Sequence, residues 1–338
     1  AGYLALTVPE EYGGRGANPL EIALAQERLA RGDGSVALGV AMHLANVGRQ
    51  AETRSWPSEL FARVCRDVVE TGALINAAAS EPELGSPSRG GMPSTTARRD
   101  GLGWRLNGRK TWTSLAPGLT YFVVSAGAEE DGKQPQRANF LVRSGTPGVR
   151  VEKTWDSLSM RAIGNDDVVL NDAWVPGEAR LTGDGAKSGG DARGWGLVPA
   201  SVYVGIASAA RDFAVTYAKE RRPSGAAGPI AELQTIQHRV AEIELLQLHA
   251  RSVLYGTAET WVDRPECRNE IAWQLAASKY VATNNAIRVT DLALRVVGAA
   301  GLAKAHPLER YFRDVRAGLG HPPMDDVTLT LIGKAALG

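Results

Sequence analysis

Cysteine is nearly absent: Cys65 and Cys267 are the only two in 338 residues. Two thiols build neither a disulfide framework nor a thiolate-rich metal site, which points to a reducing compartment. An excess of charge of one sign is also lacking. Lys plus Arg number 38 against 37 for Asp plus Glu, a formal charge of +1. Such a surface has no electrostatic bias towards nucleic acid or an anionic membrane. No apolar run approaches the roughly 20 residues that span a bilayer, and no basic-plus-apolar leader precedes Ala1. Ala1 opens in mid-pattern, so an earlier segment is expected to be missing. What remains is ordinary globular composition, 44% apolar and 22% charged, long enough for two or three domains. A cytoplasmic protein without membrane insertion is expected.

The texture of the chain changes twice. Leu20, Ile22, Ala23 and Leu29, then Val36, Leu38, Val40, Met42 and Leu44, then Leu60, Val64 and Val68 recur at helical steps. Ser58 before Leu60 and Phe61 is a helix start signal. From about residue 73 to 176 that period vanishes. Short runs at 74–79, 104–106, 121–125, 139–142 and 168–170 are bounded by Gly, Pro, Asn and Asp. Asn107-Gly108 and Asp100-Gly101 predict hairpin turns, because glycine accepts positive φ. Strands at this spacing predict an antiparallel barrel or sandwich. The glycine-rich stretch 183–194 reads as a linker or surface loop. Beyond it, helices are expected over about 194–221, 230–260, 268–297 and 326–337. Ile230, Leu233, Ile236, Val240, Ile243 and Leu246 make the apolar stripe of a helical bundle. The expected division is 1–72 helical, 73–182 β and 183–338 helical bundle.

Local motifs fall on this order. They are Thr7-Val8-Pro9-Glu10-Glu11-Tyr12-Gly13-Gly14, Ser80-Glu81-Pro82-Glu83-Leu84-Gly85-Ser86 and Leu106-Asn107-Gly108-Arg109-Lys110-Thr111-Trp112-Thr113-Ser114. Further on come Pro229-Ile230-Ala231-Glu232-Leu233-Gln234, then Gly298-Ala299-Ala300-Gly301 with Arg310 to Arg316. Together they resemble the acyl-CoA dehydrogenase family over nearly the whole chain. The resemblance implies an N-terminal helical domain, a central β-domain (barrel or sandwich) and a C-terminal four-helix bundle, with FAD held by the last two. It further implies a homodimer or homotetramer, an acyl-CoA or related thioester as substrate, and an electron-accepting flavoprotein as partner.

Flavin needs a flat apolar wall, hydrogen-bonding groups at its ring edge and cations for its pyrophosphate. Trp112 can supply the wall and Ser80 and Ser114 the edge; a buried barrel tryptophan is the plainer reading of Trp112. The resemblance puts Gly85 and Ser86 in the loop facing flavin and thioester, with Pro87 where the family has Asp. Arg89, Arg98 and Arg99 could meet CoA phosphates or form a solvated edge. The resemblance places Arg221 where it reaches flavin across a subunit interface, as a rigid fork for phosphate oxygens, with Arg222 beside it; a solvated cation at a helix end is the alternative. Ser224 stands where the family has Phe. Gln234 and Gly298 complete the cofactor set, although both also suit a helix surface and a helix C-cap. Arg295 and Ala299 replace a family Gln and Gly.

Dehydrogenation of an acyl thioester needs a carboxylate to take the α-proton. The family's usual Glu position falls at Pro322, and the alternative, on an earlier helix, falls near Trp195. No carboxylate stands at either. Asp325 or Asp326 could serve as base, or could simply open the last helix. Relatives that are flavin monooxygenases also lack the Glu. His321-Pro322 partly matches their pattern, which makes His321 either a proton donor in that chemistry or a loop histidine. The leading expectation is an FAD-dependent oxidoreductase performing α,β-dehydrogenation of an acyl thioester. The alternatives are a monooxygenase of the same fold and a non-catalytic flavin-fold protein.

Overall fold

The structure, a computed structural model, describes residues 2–84, 91–130, 134–181 and 190–338. Among the described residues the helices are α1 (Pro19–Ala30), α2 (Gly34–Thr53), α3 (Ser58–Thr71), α4 (Leu197–Glu220), α5 (Gln234–Asp263), α6 (Ala272–Val297), α7 (Leu308–Asp314) and α8 (Asp325–Leu337). The strands are β1 (Ile75–Ala78), β2 (Thr96–Asp100), β3 (Gly103–Thr113), β4 (Tyr121–Glu129), β5 (Gln136–Arg143), β6 (Val149–Glu152) and β7 (Asp166–Pro176). The chain forms two compact units. The first comprises Ala1–Asn18, Met42–Asp156 and Arg161–Trp195, and the second Pro19–Ala41, Ser157–Met160 and Gly196–Gly338.

The first unit is organised by one seven-stranded sheet. Its central strand is β4, which pairs antiparallel with β5 along one edge. The other edge pairs parallel with β1 and then with β2. The antiparallel expectation therefore needs correcting: the sheet is mixed. The chain between β1 and β4, which carries the β2–β3 hairpin, and β3 between β2 and β4 supply the long connections that parallel pairing requires. Asp100-Gly101 does make the turn of that hairpin. Asn107-Gly108 does not; it lies inside β3, at a register shift between Leu106 and Gly108. Gly108 has φ +154°, and a Cβ there would sit 2.4 Å from Thr95 Oγ1. The dipeptide encodes a bulge, for which a positive-φ glycine is equally suited.

Alternation along the strands feeds two cores. Phe122, Val124, Phe140 and Val142 join Trp104, Leu106, Val168 and Leu170 on one side. Tyr121 and Leu141 join Ile75 with Phe61, Val64 and Val68 of α3 on the other. A buried ion pair ties the strands. Lys110 Nζ on β3 lies 2.6 Å from Glu81 Oε1, with the side chains 0% and 2% exposed. The same carboxylate accepts the backbone N–H groups of Ser94 (2.6 Å) and Thr95 (3.0 Å). Burial alone would raise the Glu81 carboxyl, but the bonds from Lys110, Thr95 and Ser94 outweigh it and hold it at about 2.

In the second unit α4, α5 and α6 pack together, with α1 against α4. Gly205 permits the closest approach, since a Cβ there would meet the Glu27 carbonyl at 2.3 Å. Glu27, buried on α1, accepts bonds from Arg251 and the Tyr255 hydroxyl of α5.

Removing one partner of a buried pair leaves an uncompensated charge. Lys110→Met should lower the unfolding free energy by about 3–5 kcal/mol, read from urea denaturation. A loss below about 1 kcal/mol would contradict the role given to the pair.

Candidate functional site

In the first unit, Ser80, Trp112 and Ser114 come together at one end of the sheet. The Ser80 carbonyl accepts Thr111 N–H at 2.9 Å. The Ser114 carbonyl accepts Asn76 Nδ2 at 3.0 Å, and Asn76 Oδ1 accepts Asn46 Nδ2 at 3.1 Å. Among the described residues neither serine hydroxyl makes a hydrogen bond. Trp112 is not the buried barrel tryptophan of the plainer reading. It is 66% exposed, at φ +59°, and meets Trp155 edge-on at a ring separation of 5.4 Å. Positive φ costs a non-glycine residue on the order of 1 kcal/mol. A strained backbone that presents a large indole to solvent is a feature that packing does not require. Gly85 and Ser86 lie outside the described residues, as do Pro87 and Arg89. Arg98 pairs with Glu129 at 2.7 Å, which fits the solvated-edge reading; Arg99 stacks over Trp104 at 5.3 Å.

In the second unit, Arg221 ends α4 and Gln234 begins α5. A hydrogen bond from Ile230 N–H to the Arg221 carbonyl, 2.9 Å, closes the connection between them. Both residues are exposed. Among the described residues the guanidinium of Arg221 and the amide of Gln234 have no partner. Gly298 terminates α6 with φ +73°. It lines a cavity of about 500 Å³ that also takes in Arg295, Leu302 and Arg316.

The segment after α7 is the most informative. Pro322, where the resemblance puts the family's base, is exposed. His321 Nδ1 lies 2.9 Å from the hydroxyl of Tyr203 on α4. Burial, reinforced by the ammonium of Lys279, pushes the imidazole down to about 4, so it is neutral at physiological pH. Asp325 and Asp326 both lie in the first turn of α8, and neither caps it with its side chain. Asp325 instead faces α6, with Oδ1 at 3.4 Å from Lys279 Nζ and Oδ2 at 3.0 Å from Asn284 Nδ2. Burial lowers the Lys279 ammonium, and Asp325 opposes that. Asp314, on α7, accepts Met160 N–H at 2.7 Å, and burial raises its carboxyl.

Tyr203, Lys279, Asn284 and Trp155 escaped sequence reasoning. Lys279 carried a legible signal: it shares the buried face of α6 with Ala276, Thr283 and Ala286, where an unpaired cation would be costly. Tyr203 sits in a run of buried residues and gives no such sign.

The chain belongs to the acyl-CoA dehydrogenase family. The family's N-terminal, middle and C-terminal domain descriptions match residues 1–54, 76–173 and 197–325. YdbM of Bacillus subtilis (strain 168), whose name assigns it to the acyl-CoA dehydrogenases, is 43% identical over 337 residues, covering 99% of this chain and 87% of YdbM. The amino sugar nitrososynthase DnmZ of Streptomyces peucetius is 33% identical, over 100% of this chain and 84% of DnmZ. The structure of KijD3, solved with FMN and a dTDP-linked amino-keto sugar, superposes with a TM-score of 0.84 at 28% identity, covering 100% of this chain and 84% of KijD3. Among the described residues no helix is long and apolar enough to cross a membrane.

A histidine held neutral by the fold but free to charge when unfolded links stability to pH. Its folded pKa lies below its unfolded one, so the unfolded chain binds more protons between pH about 4 and 6.5. Stability should therefore fall as pH drops through that window, by no more than about 3.5 kcal/mol from this group. Urea midpoints at both ends of the window should show His321→Asn less pH-dependent than the parent. Equal slopes would contradict the burial of a neutral ring.

Proposed function

We propose that this chain is an FAD-dependent oxygenase. The single observation that carries the reading is the exchange at the end of α7: a proline at the base position, and beside it a neutral histidine bonded to a buried tyrosine. Asp325, a carboxylate near that position, is occupied by Lys279 and Asn284. The similarity to DnmZ and KijD3 supports the same reading.

The residues fit a flavin. The solvent-facing Trp112 indole offers an apolar wall for the ring system, and the free hydroxyls of Ser80 and Ser114 offer hydrogen bonds to its edge. The guanidinium of Arg221, unpartnered among the described residues, offers a fork for phosphate oxygens, with Gln234 and Gly298 as the accompanying contacts. In a homodimer or homotetramer, Arg221 would serve a neighbouring copy's cofactor. Reduced flavin supplies the electrons for oxygen activation. His321 offers a hydrogen bond to oxygen as negative charge develops on it, in a site whose burial strengthens that bond. Under this reading a separate reductase delivers the reduced flavin, and the substrate is a small amine or heteroaromatic compound.

A second reading, α,β-dehydrogenation of an acyl thioester, is favoured by the 43% identity to YdbM. It requires Asp325 or Asp326 to leave its place at the start of α8 and act as base, with an electron-accepting flavoprotein as partner.

Trp112→Ala and Arg221→Ala should each weaken FAD retention, the latter by the loss of charge-assisted bonds of about 1.5–3 kcal/mol each. Full flavin occupancy after dialysis of both variants would contradict the cofactor assignment. With reduced FAD supplied continuously, label from isotopic dioxygen should enter a product from a panel of small amines and aromatics. His321→Ala should divert that oxygen to hydrogen peroxide, with a rate loss on the order of 10²-fold. An unchanged product yield in the variant would contradict the assignment of His321.

A further inference from the structure

We infer that Tyr203 is a positioning residue that fixes His321 as the tautomer with its proton on Nε2, so that the ring acts as a hydrogen-bond donor and not as a base. The inference rests on the oxygenase reading for its consequence, but its argument is geometric. The Tyr203 residue is 1% exposed. Among the described residues its hydroxyl has one hydrogen-bond partner, His321 Nδ1 at 2.9 Å. Two arrangements satisfy that distance. If Nδ1 carried the proton and donated it, the phenolic hydrogen would have no acceptor, and an unmade bond on a buried donor costs about 1–3 kcal/mol. If the phenol donates to the Nδ1 lone pair, both groups are satisfied.

The surroundings enforce the second arrangement. Burial, with the charge of Asp314 on α7, raises the Tyr203 hydroxyl well above its ordinary value, so it keeps its proton. Lys279 on α6 opposes a positive charge on the ring, and Asp325 on α8 faces Lys279. The ring therefore carries one proton, on the nitrogen that Tyr203 does not occupy. Gly318 keeps the pair in register. A Cβ there would meet Thr283 Cγ2 at 2.6 Å and Tyr203 Cε1 at 3.2 Å, so a larger residue would displace the phenol ring. A neutral imidazole locked in this way lends a hydrogen bond to an oxygen gaining charge, without itself gaining or losing a proton.

The tautomer can be read without any substrate. Imidazole nitrogen NMR on the flavin-loaded chain, with His321 assigned by its substitution, should show Nδ1 as a bare acceptor and Nε2 protonated. That pattern should persist from pH about 7.5 down to about 5. Tyr203→Phe should give a mixture of tautomers and an imidazolium that appears at higher pH. A wild-type signal with the proton on Nδ1 overturns the inference, as does an unchanged tautomer in Tyr203→Phe. Should that variant fail to fold, the wild-type spectrum decides alone. A proton on Nε2 together with product formation indifferent to His321→Ala would overturn the oxygenase reading and leave the tautomer assignment standing.

Discussion

The buried pair of Glu81 and Lys110 is the constraint on which the first unit depends. A carboxylate and an ammonium without water must satisfy each other and their remaining lone pairs and protons, or the fold pays several kcal/mol. Glu81 meets that demand by gathering Lys110 from β3 and the backbone of Ser94 and Thr95, where the chain enters β2. Three stretches remote in sequence are thereby fixed at one place. Two residues beyond Lys110 the chain turns to positive φ and presents Trp112. The exposed indole is held where it stands because the strand beneath it cannot slide.

In the second unit the governing fact is again burial of a titratable group, resolved in the opposite way. Among the described residues no carboxylate holds His321 charged, so desolvation and Lys279 leave it neutral. The nearest analogue of a base, Asp325, is drawn onto Lys279 and Asn284 of α6. One site therefore separates an anion that is already engaged from a polar group that is uncharged. Chemistry that must remove the α-proton of a thioester is poorly served by that arrangement. Chemistry that builds charge on oxygen is well served by it, since a preorganised neutral donor needs no reorganisation as the charge appears.

Much of this was legible in the sequence. Helical spacing in the two outer regions and short strands between them gave the architecture, since the apolar period is set by which face is buried. The motif around Trp112 marked its strand, and counting from Asp314 puts the family's base position at Pro322. Asn107-Gly108 misled because positive φ serves a bulge as readily as a turn, and only the partner strand distinguishes them. Parallel pairing of β4 was hidden because register between distant strands leaves no local pattern. The pairs Tyr203–His321 and Lys279–Asp325 span 118 and 46 residues. Contacts of that range are written in the packing of helices, not in any one segment.

Among the described residues, Asp325 is held by Lys279 and Asn284 and not left free to abstract a proton. Anaerobic titration of the flavin-loaded chain with short and long acyl-CoA thioesters, followed by flavin absorbance, tests it most directly. The flavin should stay oxidised across the whole series. Bleaching by any member, slowed by Asp325→Asn or Asp326→Asn, would contradict it.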